Sequence, residues 1–223
     1  MQPVVIKTED GSHSLFVEEL NEHYHSIHGA IQESKHVFIE SGLKHIAIAD
    51  KSKISILEIG LGTGLNAFLT FLENETLNRN IHYTTIEAFP IDMTIVNQLN
   101  YPNLLGNESK KDIFTSIHSS AWELENSLSP NFTLLKIKDT LQNIKFTSTF
   151  DLVYFDAFGP QVQPDMWKES IFAKIANALH TGSILVTYCA KGEVKRTLKR
   201  TGFLVESLPG PPGKREMIRA IKI

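Results

Sequence analysis

Residues 56–66 read Ile-Leu-Glu-Ile-Gly-Leu-Gly-Thr-Gly-Leu-Asn, an apolar run that enters a turn with glycine at every second place: Gly60, Gly62 and Gly64. Glycine there lets the chain bend sharply and lets a ligand lie against the backbone with no Cβ in the way. A dinucleotide fingerprint would need glycine three places after Gly62, where Leu65 stands, and no Gly-Lys-Ser/Thr of a phosphate loop follows. A glycine turn with neither signature suits a nucleoside-type ligand that lacks a pyrophosphate. The plainer alternative is a tight strand-to-helix turn with no ligand. Glu87 follows the next apolar run, Asp139 follows a third, and Asp156 ends Leu-Val-Tyr-Phe-Asp at 152–156. A carboxylate has two acceptor oxygens, which match a vicinal diol, so Glu87 is the candidate for a ribose. Acids at successive strand ends converge on one rim.

Other reactive side chains point less clearly to chemistry. His23, His25 and His28 are close in sequence, yet no acid or fourth ligand has matching spacing, so surface or packing roles are expected and no metal site. Cys189 has no evident base to activate it and reads as a small buried residue. As the single cysteine, it excludes an intramolecular disulfide and any multi-cysteine metal cage.

The elements that must position these residues follow from periodicity. Strand-like runs lie at 54–59, 83–87, 133–137, 152–155, 184–188, 203–208 and 217–223, several of them apolar at nearly every place, as strands covered on both faces are. Helix-like stretches at 65–73, 91–98, 166–179 and 193–201 alternate with them. That alternation predicts an α/β fold with a parallel sheet between helices. The last two runs flank Pro209-Gly210-Pro211-Pro212-Gly213 with no helix between them, so they are expected to pair as an antiparallel hairpin. Residues 1–50 read as a hairpin-like start and a helical or irregular cover, and 100–131 as a helical insertion.

The chain has 223 residues, 42% of them hydrophobic and 21% charged, which is the scale of one domain, 1–223, able to bury a core without staples. No apolar stretch approaches the ~18 residues of a membrane span, and no charged-then-apolar leader opens the chain. A cytoplasmic protein without membrane attachment is expected. The net charge is −3, but residues 191–223 carry Lys191, Lys195, Arg196, Lys199, Arg200, Lys214, Arg215, Arg219 and Lys222 against Glu193, Glu206 and Glu216. Such a basic stretch either meets a polyanion or is a solvated face.

Taken together, Glu58 to Gly64, Glu87, Asp139 and Asp156 resemble the S-adenosyl-L-methionine-dependent methyltransferases of the Rossmann-like class I. More narrowly, Gly60–Asn66 (GLGTGLN), Phe155–Pro160 (FDAFGP) with Pro164–Trp167 (PDMW), and Gly213–Met217 (GKREM) are similar to the methyltransferase half of the MnmC family. That family makes 5-methylaminomethyl-2-thiouridine in tRNA. Tyr24, Ser26, Gly29, Glu33, Val37 and Phe38 also fall in the family's order, whereas Gln163 and Cys189 depart from it. The resemblance implies a mostly parallel seven-stranded sheet with an antiparallel C-terminal hairpin and helices on both faces. It implies S-adenosyl-L-methionine held by Glu58, Gly60, Gly62, Gly64 and Asn66, by Glu87 at the ribose and Asp139 at the adenine, with Tyr24 and Glu33 near the pocket. It implies tRNA as partner, Asp156 as the catalytic residue, Phe158, Pro160 and Trp167 as a wall beside the acceptor base, and Lys214 and Arg215 on phosphates. The family's FAD-dependent oxidase half has no counterpart in this sequence, so a stand-alone methylating form is expected, with a separate FAD-dependent oxidase acting upstream. An acceptor that is a small molecule or protein, or a non-catalytic cofactor-binding module, stands as the alternative, and the sequence leaves the oligomeric state open.

Overall fold

Nearly continuous apolar runs organise a central eight-stranded sheet, and a computed structural model describes it over residues 3–47 and 51–223. The predicted N-terminal cover includes 1–2 and 48–50, which lie outside the described residues. In chain order the strands are β1 (Val4–Lys7), β2 (His13–Val17), β3 (Glu22–His23), β4 (Lys53–Ile59), β5 (Asn80–Ile86), β6 (Glu125–Ser129), β7 (Phe132–Ile137), β8 (Phe150–Phe155), β9 (Leu179–Thr187), β10 (Phe203–Pro209) and β11 (Glu216–Lys222). The helices are α1 (Ala30–Ser34), α2 (Lys44–Ala47), α3 (Leu65–Leu77), α4 (Met93–Val96), α5 (Tyr101–Leu104), α6 (Lys111–Ser119), α7 (Glu169–Asn177) and α8 (Gly192–Arg200).

The main sheet runs in the order β10-β11-β9-β8-β4-β5-β7-β6. Strands β9, β8, β4, β5 and β7 are parallel neighbours. The C-terminal hairpin is antiparallel and slots β11 between β10 and β9, as the chain's last two apolar runs predicted. The eighth strand corrects the expectation of seven: β6, inside the segment read as a helical insertion, pairs antiparallel with β7 across a register shift. Its sequence, Glu-Asn-Ser-Leu-Ser, is an exposed edge with no apolar alternation to give it away.

Two buried clusters flank the sheet. Along β4, Ile54 and Ile56 face one cluster with α3, α6 and the cover, and Leu57 and Ile59 face the other with α7 and α8. Period-two alternation thus assigns Glu58 to the α3 side. The cover begins as a small sheet of β1, β2 and β3. It continues through α1 and a π-helical stretch, Lys35–Leu43, into α2, burying Val37, Phe38 and Leu43. Phe38 meets Tyr154 of β8 with ring centroids 5.1 Å apart, which seats the cover on the sheet.

Two predicted helices are shorter than expected. The 91–98 segment keeps only α4, whose start is capped by Asp92 accepting from the Thr94 N–H over 2.7 Å. β-Branched Thr94, Ile95 and Val96 and then Asn97 are poor formers, so the turn does not propagate. The 166–179 segment is a 3₁₀ turn at Pro164–Trp167, then α7, and Leu179 already belongs to β9.

Candidate active site

Every loop that carries a predicted acid leaves the same edge of the sheet. β4, β5, β7 and β8 end at Ile59, Ile86, Ile137 and Phe155, so Gly60, Glu87, Asp139 and Asp156 stand beyond neighbouring carboxyl ends. They line one cavity of about 370 Å³, with Tyr24 and His25 from the cover and Phe158 and Gln163 from the loop after β8. That volume lies in the range of small-ligand sites, ~300–1,000 Å³.

The glycine turn is built tightly against this cavity. Gly60 (φ +91°) donates its N–H to Ile86 O over 2.9 Å, and a Cβ on it would stand 3.0 Å from the backbone oxygen of Asp156. Gly62 (φ +48°) donates to Glu87 Oε2 over 3.0 Å, and a Cβ there would meet the Tyr24 ring at 3.1 Å. Both conformations belong to the left-handed region that side chains resist. Glu87 is held at both oxygens, since Oε1 accepts from the Phe89 N–H over 2.8 Å. A carboxylate oxygen has a second lone pair, so the fixed group still presents acceptors to a diol. Asp139 Oδ1 accepts from the Thr140 N–H (2.7 Å) and from Asn143 Nδ2 (2.8 Å), which fixes that carboxylate as well. Apolar Ile59, Ile86, Leu141 and Met166 and the exposed Phe89 complete the wall.

Asp156 is half-buried and accepts from Asn66 Nδ2 over 2.8 Å. Burial, then the nearby Glu33 carboxylate, push its pKa up to about 7, against the opposing pull of Asn66 and Lys214. Burial pushes the Tyr24 phenol up to about 12, with Glu87 adding to it. His25, its Nδ1 3.0 Å from Ser14 Oγ, is driven down to about 4 by burial and is a neutral imidazole on the wall. It packs as expected, on a face that lines the cavity. The three histidines do not converge: His23 packs on Phe16 (4.7 Å between centroids) and His28 Nδ1 meets Glu9 Oε2 at 2.9 Å.

Several predicted contacts lie off the cavity, each for a local reason. Glu58 is 0% exposed and lies beneath the turn, because strand alternation turns it toward α3. Gly64 is the residue before α3, enclosed by His118 and Ile117, and Asn66 in the first turn of α3 points back at Asp156. Glu33 is buried behind the wall, accepting from the Ser26 N–H over 2.7 Å and from the Lys214 ammonium. The expected aromatic wall reduces to Phe158, whose ring meets Tyr24 edge-on at 5.1 Å. Pro160 sits in the following turn. Trp167 is core: its ring packs on Phe155 (4.9 Å) and its Nε1 donates to Phe158 O over 2.8 Å.

Most of the basic stretch is engaged in ion pairs. Lys195, Arg196, Arg200 and Arg219 pair with Glu216, Glu193, Glu169 and Glu206. Lys214 turns inward, its ammonium 3.9 Å from the Tyr188 ring centroid and paired with Glu33. Arg215 is exposed and has no ion pair among the described residues. His25, Phe89, Leu141 and Gln163 are among the wall residues that sequence reading did not assign. Phe89 and Leu141 sit two residues beyond the acids that it did assign.

Residues 107–223, just over half of the chain, match a family described as S-adenosyl-L-methionine-dependent methyltransferase. The chain is 30% identical over 206 residues to the tRNA 5-methylaminomethyl-2-thiouridine biosynthesis bifunctional protein MnmC of Magnetococcus marinus, covering 89% of this chain and 31% of that protein. It is 29% identical over 210 residues to the MnmC protein of Campylobacter hominis, covering 92% of this chain and again 31% of the relative. The chain thus spans about a third of the length of these curated relatives. A crystal structure of MnmC2 from Aquifex aeolicus superposes with a TM-score of 0.79 at 22% identity, over 98% of this chain and 69% of that one, which shows a shared fold. With its glycine turn, strand-end acids and matched C-terminal half, the chain belongs to the S-adenosyl-L-methionine-dependent methyltransferase family.

Proposed function

We propose that this protein methylates the primary amine of an aminomethyl group on the wobble uridine of tRNA, and that Asp156 acts on that amine. The observation that carries the reading is that Asp156 lines the same cavity as Gly60, Gly62, Glu87 and Asp139. The similarity to MnmC proteins supports the choice of acceptor.

The residues present fit the cofactor. Gly60 and Gly62 present backbone to the cavity beside the Tyr24 ring, Glu87 offers acceptors for a ribose diol, and Asp139 offers one for an adenine amino group. Leu141 and Phe89 supply apolar contact for the base. Bound there, S-adenosyl-L-methionine supplies an activated methyl group and its own leaving group. What remains for the protein is to hold nucleophile and methyl in line, which can remove ~7–11 kcal/mol from a barrier.

The acceptor raises a protonation problem. An alkyl amine with a pKa near ~10.4 is neutral in only about one molecule in 2,500 at pH 7. A carboxylate of ordinary acidity is too weak a base to relieve it. Asp156 does not take that proton: as a carboxylate it accepts an N–H of the neutral amine, aims the lone pair and stabilises the positive charge that develops on nitrogen. Tyr24, Phe158 and the neutral His25 form the wall on which an unstacked base can rest. Arg215 and the other exposed cations outside the ion pairs remain for phosphates. A tRNA acceptor accords with a cytoplasmic protein and with an upstream oxidation performed by a separate FAD-dependent enzyme.

The test is methyl transfer from labelled cofactor to bulk tRNA that lacks the modification, followed by digestion to nucleosides. Label in the methylaminomethyl uridine is expected. Label absent from tRNA, with cofactor bound normally, would transfer the activity to a small-molecule or protein acceptor.

A further inference from the structure

Asp156 is one end of a buried chain of side chains. Asn66 Nδ2 donates to its Oδ2, and the Asn66 side chain also faces Glu58, as do Thr85 and Tyr83. Sheet register explains the meeting. Glu58 stands opposite Thr85 on β5 and Tyr154 on β8, and residue 156 continues the Tyr154 side of its strand toward α3. Thr85, Asn66 and Tyr83 are the polar side chains around the Glu58 carboxyl, yet among the described residues neither Glu58 oxygen, nor Asn66 Oδ1, Thr85 Oγ1 or the Tyr83 hydroxyl, makes a well-formed hydrogen bond, and all are buried. An isolated charge at such a place is too costly to keep, so the group neutralises instead. Burial first, and the neighbouring Asp156 after it, hold the Glu58 carboxyl well above the usual range, so Asp156 is the member of the pair that ionises. A protonated carboxyl both donates and accepts, which a carboxylate cannot.

We infer that Glu58 is a positioning residue for the transfer step: from beneath the glycine turn it fixes the orientation of the Asn66 amide, which aims the Asp156 carboxylate at the acceptor. The inference rests on Asp156 acting on the amine as proposed above. It differs from the cofactor-holding role that resemblance gives Glu58, because the side chain has no exposure to the cavity. Without Glu58 the amide is free to turn and present Oδ1 to Asp156, setting two acceptors face to face.

Four proteins decide it: wild type, Glu58→Gln, Glu58→Leu and Asn66→Ala. Calorimetry gives their cofactor affinity, single-turnover transfer to tRNA gives the rate, and carboxyl ¹³C NMR gives the titration of Asp156. Glu33 and Lys214 also face Asp156, and both stay intact in all four. Glu58→Leu is expected to slow transfer by about 100-fold, the scale of a 1 Å misplacement, with cofactor affinity unchanged. Glu58→Gln, which can still donate and accept, restores most of that rate. The Asn66→Ala, Glu58→Leu double variant, made as a control beside the four, transfers no more slowly than Asn66→Ala alone. Asp156 titrates at higher pH in both Glu58→Leu and Asn66→Ala, and as in wild type in Glu58→Gln.

A loss confined to cofactor affinity, or Glu58→Gln as slow as Glu58→Leu, would overturn the inference. If Glu58→Leu does not fold, a displaced Asp156 titration in Glu58→Gln does the same. The titration needs no acceptor. A wild-type protein that leaves tRNA unmethylated therefore counts against the proposed function, while four identical Asp156 titrations count against the role of Glu58.

Discussion

Opposed influences meet on the Asp156 carboxyl, and their balance has a kinetic signature. Burial and Glu33 raise its pKa to about 7, while Asn66 and Lys214 restrain the rise. Only the ionised form can stabilise the positive charge that develops on the amine, so activity is lost as pH falls through 7. The substrate amine must also be neutral, with a pKa near ~10.4. The logarithm of kcat/KM should therefore climb with a slope of two below about pH 7 and a slope of one above it. In Asp156→Asn the bend near 7 should vanish and the rate fall by at least about 100-fold, with cofactor affinity nearly unchanged. A wild-type profile of slope one throughout would remove Asp156 as the titrating group. The places of Glu87, Asp139 and Asp156 along one rim were legible in the sequence because each follows an apolar run, and a strand end fixes where the next side chain goes. Glu58 and Trp167 were not, since their neighbours come from α3 and α7, and no spacing in the chain reveals what a third element covers.

In the proposed function, cofactor binding depends on the turn from β4 into α3. Gly62 holds φ +48° with its N–H on Glu87, and the Tyr24 ring lies where a Cβ would go. Gly62→Ala pays for a left-handed conformation with about 1–2 kcal/mol and must also displace Tyr24. The melting temperature should drop by about 2–8 °C, and cofactor affinity by about tenfold in calorimetry. Affinity equal to wild type would mean that the ligand does not lie on this turn. The parallel strands and the C-terminal hairpin could be read from apolar runs and a proline-glycine loop. The edge strand β6 escaped because Glu-Asn-Ser-Leu-Ser pairs through its backbone alone on one side and faces water on the other.

Across the whole molecule, the two ends of the chain meet over the site. Lys214, from the loop of the C-terminal hairpin, pairs with the buried Glu33 of the cover and lies on Tyr188. Tyr188 in turn donates to Ala157 O over 2.8 Å, next to Asp156. His36 Nε2 meets Pro209 O at 2.8 Å and adds a second contact between cover and hairpin. Lys214→Ala should therefore destabilise the fold by about 1–3 kcal/mol in denaturant titrations, because it leaves a buried carboxylate unpaired. Arg215→Glu should leave stability unchanged, weaken tRNA binding and reduce its salt slope by about one or more. The opposite outcome, with Lys214 carrying the salt slope and Arg215 the stability, would mean that Lys214 faces the polyanion and Arg215 the interior. The basic composition of 191–223 could not distinguish these roles, since pairing across strands and helices decides which cations remain for a polyanion. Co-crystallisation with S-adenosylhomocysteine tests most directly whether this rim is the cofactor site. The ribose diol on Glu87, the adenine between Phe89 and Leu141, and the sulfur turned toward Asp156 are the expected result. A ligand lodged elsewhere, or a rim closed by its own side chains at saturating ligand, would contradict it.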